Sequence, residues 1–168
     1  RLLADHHGLD QEPGDALLAA LPLATWSAWW ATGGLTRRTS IRALCAIAWA
    51  ASPVLLLAIA EARLAIVCSA IFLPLAVRAI GQAIASHTRR SGWAWAAGGG
   101  LLLIPATAGL PILALGAGVL LLLVAARARR LAVAFAAAPP VVMALPVLLA
   151  SINRPALLFA EPGTALTR

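Results

Sequence analysis

The sequence predicts an all-α fold: a polytopic integral membrane helix bundle of about six transmembrane helices, with both termini extracytoplasmic. Three observations carry that expectation. The chain is 62% hydrophobic and 11% charged with a mean hydropathy of +0.92, whereas soluble domains are roughly half apolar and a quarter charged. Its apolar residues fall in blocks near the ~20 residues that a helix needs to cross the hydrocarbon core. Its arginines gather between alternate blocks, as they do in cytoplasmic loops.

The spans follow in order. Ala16 to Leu35 supplies the first, Ala43 to Ala60 the second and Leu64 to about Ile84 the third; Arg78 lies near the end of the third, where its long stem can snorkel to the headgroups. The uncharged run from Ser91 to Ala126 would be about 54 Å long as one helix, nearly twice the ~30 Å hydrocarbon thickness. Within it, "TAGLP" (Thr107 to Pro111) contains a helix stop at Gly109 and a helix start at Pro111. The run therefore divides into Trp93 to about Ala108 and Pro111 to Ala126. Leu131 to Ala150 makes the last span, kinked at Pro139 and Pro140, because proline removes a backbone donor and clashes with the preceding turn. The expected organisation is an extracytoplasmic acidic segment over 1–15, a six-helix transmembrane domain over 16–150 and an extracytoplasmic tail over 151–168.

Charge tests this layout independently. With six spans, one side holds Arg37, Arg38 and Arg42, then Arg78, Arg89 and Arg90, then Arg127, Arg129 and Arg130, nine of the thirteen basic residues. The opposite side holds Arg1, Arg63, Arg154 and Arg168 with all six acidic residues. Reading 91–126 as a single span would move Arg127, Arg129 and Arg130 to the wrong side, so length and charge agree. The expected location is the plasma (inner) membrane, crossed several times. Trp26, Trp29 and Trp30 share a helix face near the inner end of the first span, and Trp93 with Trp95 opens the fourth. They read as aromatic-belt anchors, with a stacking platform for a sugar or lipid as the alternative. Gly98, Gly99, Gly100, Gly116 and Gly118 allow close helix approach.

Composition also narrows function. All thirteen basic residues are Arg, Lys and Tyr are absent, and Ala, Leu and Gly dominate, a bias that points to a GC-rich bacterial genome. Nucleic acid is not an expected partner, because its binders need a basic face with polar or aromatic contacts and not short Arg clusters between apolar runs. Cys45 and Cys68 fall in apolar runs and read as small buried hydrophobes. A transporter would need midplane ionisable residues and inverted repeats, and the spans contain no acidic residue and no evident repeat. The chain opens on Arg1 without a signal-peptide pattern, so we expect a piece of a larger protein.

Three groups of residues are candidates for chemistry. In "DHHGLDQEPGD", Asp5, His6 and His7, with Asp10, Glu12 and Asp15, offer oxygen and imidazole ligands to a divalent metal ion, though in no zinc spacing; a solvated acidic loop is the alternative. Glu61 and Arg63 in the outer turn "EAR" can hold a phosphate or a sugar hydroxyl, or simply end two helices. The inner clusters "RRTSIR", "HTRR" and "RARR", with Arg37, Arg38, Arg89 and Arg90, can grip lipid phosphates, since basic residues at that face attract anionic headgroups at about 1 kcal/mol each. Membrane lipids are the expected partners.

Three stretches, "IRALCAIAWAASPVLLLAIAEARLAIVCSAIFLPLAVRAI" (Ile41 to Ile80), "GWAWAAGGGLLLIPATAGLPILALGAGVLLLLVAARARR" (Gly92 to Arg130) and "INRPALLFAEPGTALTR" (Ile152 to Arg168), together resemble the GT-C-like polytopic membrane region of large actinobacterial family-2 glycosyltransferase proteins. The "EARLA" turn lacks the glycines of that family's "GRLG" turn, and no DxD motif occurs. The resemblance implies the transmembrane part of a cell-envelope glycosyltransferase acting on polyprenyl-phosphate-linked sugars, with the rest of its own chain or other membrane subunits as partners. It also implies that a catalytic base, if this region supplies one, is an outer carboxylate such as Asp5, Asp10 or Asp15. A non-enzymatic scaffold or regulatory subunit of a larger membrane complex is the competing expectation.

Overall fold

The computed structural model describes residues 12–108 and 111–152, and among them every regular element is a helix. In chain order these are α1 (Glu12–Thr32), α2 (Thr39–Ala50), α3 (Pro53–Ala60), α4 (Leu64–Ala85), α5 (Arg89–Thr107), α6 (Pro111–Ala128), α7 (Leu131–Phe135) and α8 (Ala138–Ser151). The run around "TAGLP" is divided as expected: α5 ends at Thr107 and α6 begins on Pro111, while Gly109 and Leu110 lie outside the described residues.

Among the described residues, two stretches are long and apolar enough to cross a membrane, Leu64–Ala85 and Leu131–Ser151, and α2 with α3 makes a third if its halves form one span. This is fewer than the six the sequence led us to expect. The shortfall has local causes. The apolar stretch of α6 is only Ile112–Ala128, and α5 opens on Arg89 and Arg90 and spends three of its positions on Gly98, Gly99 and Gly100.

Proline shapes the helices. The stretch expected to be one span over Ala43 to Ala60 bends by 41° between α2 and α3. Pro53 at the first position of α3 has no N–H to continue the helix and holds Ser52 extended, at φ −61° and ψ 135°. In place of the kink expected at Pro139 and Pro140, the helix is interrupted one turn earlier, between Phe135 and Ala138, because the missing donors and the ring clash act on the carbonyls four residues back. Pro74 lies inside α4 without ending it. Its absent N–H would leave the Ala70 carbonyl open, and the Trp49 indole of α2 donates to that oxygen at 2.9 Å.

Packing uses small residues. The buried set is dominated by alanines, above all on α1, α2, α4, α5 and α6, and its largest fully buried side chains are Leu55, Val133 and Pro140. The bulky groups face outward: Leu101, Leu123, Val142 and Met143 are all exposed. A bundle in water would do the reverse, whereas close helix contact through Ala and Gly with apolar residues outside is how helices pack in lipid. α4 is the hub. Its first half joins α1 and α3 around Ala20, Ala24, Leu55, Ala58 and Val67, and its second half joins α5, α6 and α7 around Ala76, Ala83, Ala96 and Val133.

The helix ends carry the charge. Arg42 donates from Nη2 to the Trp29 carbonyl at 3.0 Å, and Arg78 donates from Nη1 to the Trp30 carbonyl, so two guanidinium groups cap the carboxyl end of α1. Arg130 donates to the Ser86 carbonyl at 2.8 Å and caps α4 in the same way. These contacts join the loops after α1, α4 and α6 at one end of the bundle. Arg78 thus turns inward onto α1, where the sequence suggested that it would snorkel outward. Cys45 is exposed and Cys68 half-buried, both as free thiols, so the reading of Cys45 as a buried hydrophobe is corrected: it lines an open cleft on α2 and not the packed core.

Candidate functional site

At the arginine-rich end, the loop from α4 to α5 meets the loop from α6 to α7. Thr88 caps α5 by accepting a hydrogen bond from the Ser91 N–H at 3.3 Å, which fixes where that helix begins. Arg89 and Arg90 then occupy its first turn. Two cations there oppose the positive end of the helix dipole, an unfavourable placement that an anion would relieve.

The facing loop is built with strain. Arg130 N–H bonds to the Ala125 carbonyl at 3.0 Å and Arg129 N–H to that of Ala126 at 3.3 Å, the paired bonds of a Schellman turn. The left-handed position of this turn usually takes Gly, yet here it is Arg129, with φ 52°. A side chain in that conformation costs roughly 1–2 kcal/mol.

Between the two loops lies a cavity of about 420 Å³ lined by residues that include His87, Arg89, Gly92, Trp93, Arg129 and Arg130. Trp93 forms its wall and is braced by Phe135, with ring centroids 4.9 Å apart and planes tilted by 48°. His87, Arg89 and Arg129 are exposed at the rim. Three guanidinium groups, an imidazole and a helix amino terminus around one opening can chelate a phosphate oxygen cluster, and the indole adds an apolar face. Comparison with protein-family models, curated proteins and solved structures gives no match. The chemistry of the site therefore rests on its geometry.

The other candidates are distributed around the bundle. Arg37 and Arg38 are exposed in the loop between α1 and α2, where the Arg38 N–H donates to Thr36 Oγ1 at 3.2 Å. Arg90 is exposed beside Arg89. Glu61 and Arg63 lie at the opposite end of α4, where the Arg63 Nε stands 2.5 Å from a Glu61 carboxylate oxygen across Ala62, itself at φ 53°. Their charges are satisfied within the turn. Asp5, His6, His7 and Asp10 lie outside the described residues, and Asp15 is described only as a backbone position in the opening turn of α1. Among the described residues, no three His, Cys, Asp or Glu side chains come together to hold a metal ion.

Sequence reasoning singled out Arg89 but treated "HTRR" and "RARR" as two separate basic loops. The signal that they converge is the pair of helices between them, which returns the chain to the end it left. Arg129 gave no signal, because its backbone conformation follows from the turn after α6.

Proposed function

We propose that this chain is the transmembrane part of a bacterial cell-envelope glycosyltransferase, crossing the plasma membrane several times. There it holds the phosphate of a polyprenyl-phosphate-linked sugar at the arginine-rich end of the bundle. The observation that carries this reading is the cavity in which His87, Arg89, Arg129 and Arg130 surround one opening beside Trp93. Its charge suits a phosphate, its indole suits a sugar ring or prenyl chain, and the exposed apolar helices around it suit a ligand that arrives from lipid. The resemblance of three stretches to GT-C-like membrane regions supports the sugar-transfer setting, and the six-span layout with the basic loops inside follows from the charge distribution.

Binding of a polyprenyl phosphate to the chain in phosphatidylcholine nanodiscs tests the site. Replacing Arg89 and Arg129 by Gln removes two charge-assisted contacts and should weaken binding about tenfold or more. Equal affinity of the double variant and the parent would remove this assignment.

A scaffold without catalysis is the second reading. It is favoured by Glu61, the one carboxylate among the described side chains, being paired with Arg63 and not free as a base. Sugar transfer by the intact enzyme carrying Asp5→Ala, Asp10→Ala or Asp15→Ala separates the two. A large loss in any of the three places the base in the acidic segment, and unchanged turnover in all three leaves this region as support.

A further inference from the structure

A second, larger cavity of about 560 Å³ runs between α1, α2 and α4. That volume falls in the ~300–1,000 Å³ range of small-molecule sites. Its walls are carbon: Ala31, Cys45, Trp49, Pro74 and Val77 line it, and Gly81 contributes no side chain at all. Polar groups gather at one end, where Arg78 and Gln82 reach the cleft on successive turns of α4. Thr32 also lines it, but its hydroxyl is committed to the Ala28 and Trp29 carbonyls at 2.9 and 3.0 Å.

No described carboxylate balances the charge at that end. Arg78 stacks on Trp30 and donates to its carbonyl, yet among the described residues its buried Nε has no hydrogen-bond partner, nor has the Nε of Arg42 on the neighbouring Trp29. The carboxyl end of α1 offers roughly half a negative charge to these two full cations. The described carboxylate, Glu61, is paired with Arg63 at the other end of α4, about 21 Å from Arg78 along the helix. The Gln82 side-chain amide makes no hydrogen bond among the described residues. The cleft thus joins an apolar trough to the Arg78 guanidinium, whose charge no described carboxylate balances, and to the Gln82 amide.

We propose that this cleft binds one hydrocarbon chain of an anionic lipid, with the phosphate against Arg78 and Gln82. The site lies on the other side of α4 from the basic cavity at His87 and does not depend on it. A lipid without net charge would fill the trough but bring its own cation with its phosphate and leave the net positive charge there unbalanced, so the cleft selects by charge.

Gly81 supplies the test. A Cβ built there meets nothing within 4 Å, so the side chain of Gly81→Phe starts into open space and its ring occupies the trough. The chain, extracted in a neutral detergent, is given dioleoylphosphatidic acid or dioleoylphosphatidylcholine, and retained lipids are counted by native mass spectrometry. We expect two phosphatidic acid molecules on the parent protein and one on Gly81→Phe. The pair Arg89→Gln with Arg129→Gln should also retain one, by losing the other site. Arg78→Gln should keep the chain but lower the preference for phosphatidic acid over phosphatidylcholine about tenfold. Retention on Gly81→Phe equal to the parent, or equal retention of the two lipids by the parent at this site, overturns the proposal. Loss of lipid in the Arg89/Arg129 pair alone would uphold the basic cavity while refuting the cleft.

Discussion

The guanidinium of Arg78 lies 3.9 Å from the centroid of the Trp30 ring and donates a hydrogen bond to the carbonyl of the same residue. Arg42 repeats the arrangement on Trp29, with its guanidinium carbon 4.6 Å from the ring. Two arginines separated by 36 positions in the chain therefore close one helix, each using the indole as a platform and the carbonyl as an anchor. The paired tryptophans read from the sequence as belt anchors are thus also the receiving surface for two half-buried arginines.

Removing one of these caps should be costly. Arg78→Ala loses a charge-assisted hydrogen bond and a cation–π contact, together about 2–4 kcal/mol. Arg78→Lys should recover only part of this, since an ammonium cannot lie flat on the indole while donating past its edge. Equilibrium unfolding of the chain in mixed micelles measures both. Equal stability of the Lys variant and the parent would show that charge alone matters.

The three adjacent glycines of α5 should respond differently to the same change. At Gly98 an added Cβ meets nothing within 4 Å, so Gly98→Ala should stabilise by about 0.5–1 kcal/mol through helix propensity. At Gly99 it would come within 2.9 Å of Ile80 Cγ1, and at Gly100 within 2.8 Å of the Ala136 carbonyl oxygen. A side chain can give way, but a backbone carbonyl cannot, so both variants should destabilise by about 1–3 kcal/mol with Gly100→Ala the worse. Thermal unfolding of the three variants ranks them. A loss of stability at Gly98 would mean that this helix packs on another face.

How much of this was legible in the sequence depends on the range of the cause. The start of a new helix at Pro111 and the interruption before Pro139 could be read locally, because proline acts on its own turn. The close approach at Gly99 and Gly100 was expected as a class of packing, but Gly98 between open space and contact was not distinguishable from them. The break at Ser52 was present in Pro53 and was overridden by the apolar run around it. That the loops of Arg89 and Arg129 share one side followed from the two helices between them, but the cavity they enclose and the turn of Arg78 onto Trp30 depend on how separate helices pack, and no window of sequence contains that information.

Trp49 and Pro74 form a testable pair. The indole N–H takes the Ala70 carbonyl that Pro74 cannot serve. Trp49→Phe should leave that carbonyl without a donor at a cost of about 1–3 kcal/mol. In a Pro74→Ala background the helix regains its own N–H, and the same substitution should cost about 1 kcal/mol less. A double-mutant cycle measures the coupling, and strict additivity would show that the indole bond does nothing for the proline.

Arg129 sets stability against binding. Its left-handed backbone, at φ 52°, is the position at which a Schellman turn favours glycine. Arg129→Gly should therefore stabilise the fold by about 0.5–1 kcal/mol, the relief of strain being partly offset by the greater freedom of glycine in the unfolded chain. The same change removes one guanidinium from the cavity beside Trp93, so affinity for a polyprenyl phosphate should fall. Ala62→Gly is the control, because Ala62 occupies the matching turn after α3 at φ 53° and lies at the opposite end of the bundle. It should gain stability by a similar amount and leave phosphate affinity unchanged. Unfolding and ligand titration on the two variants give four numbers. If Arg129→Gly gained stability without losing affinity, the strained arginine would be an accident of sequence and the phosphate would be held elsewhere.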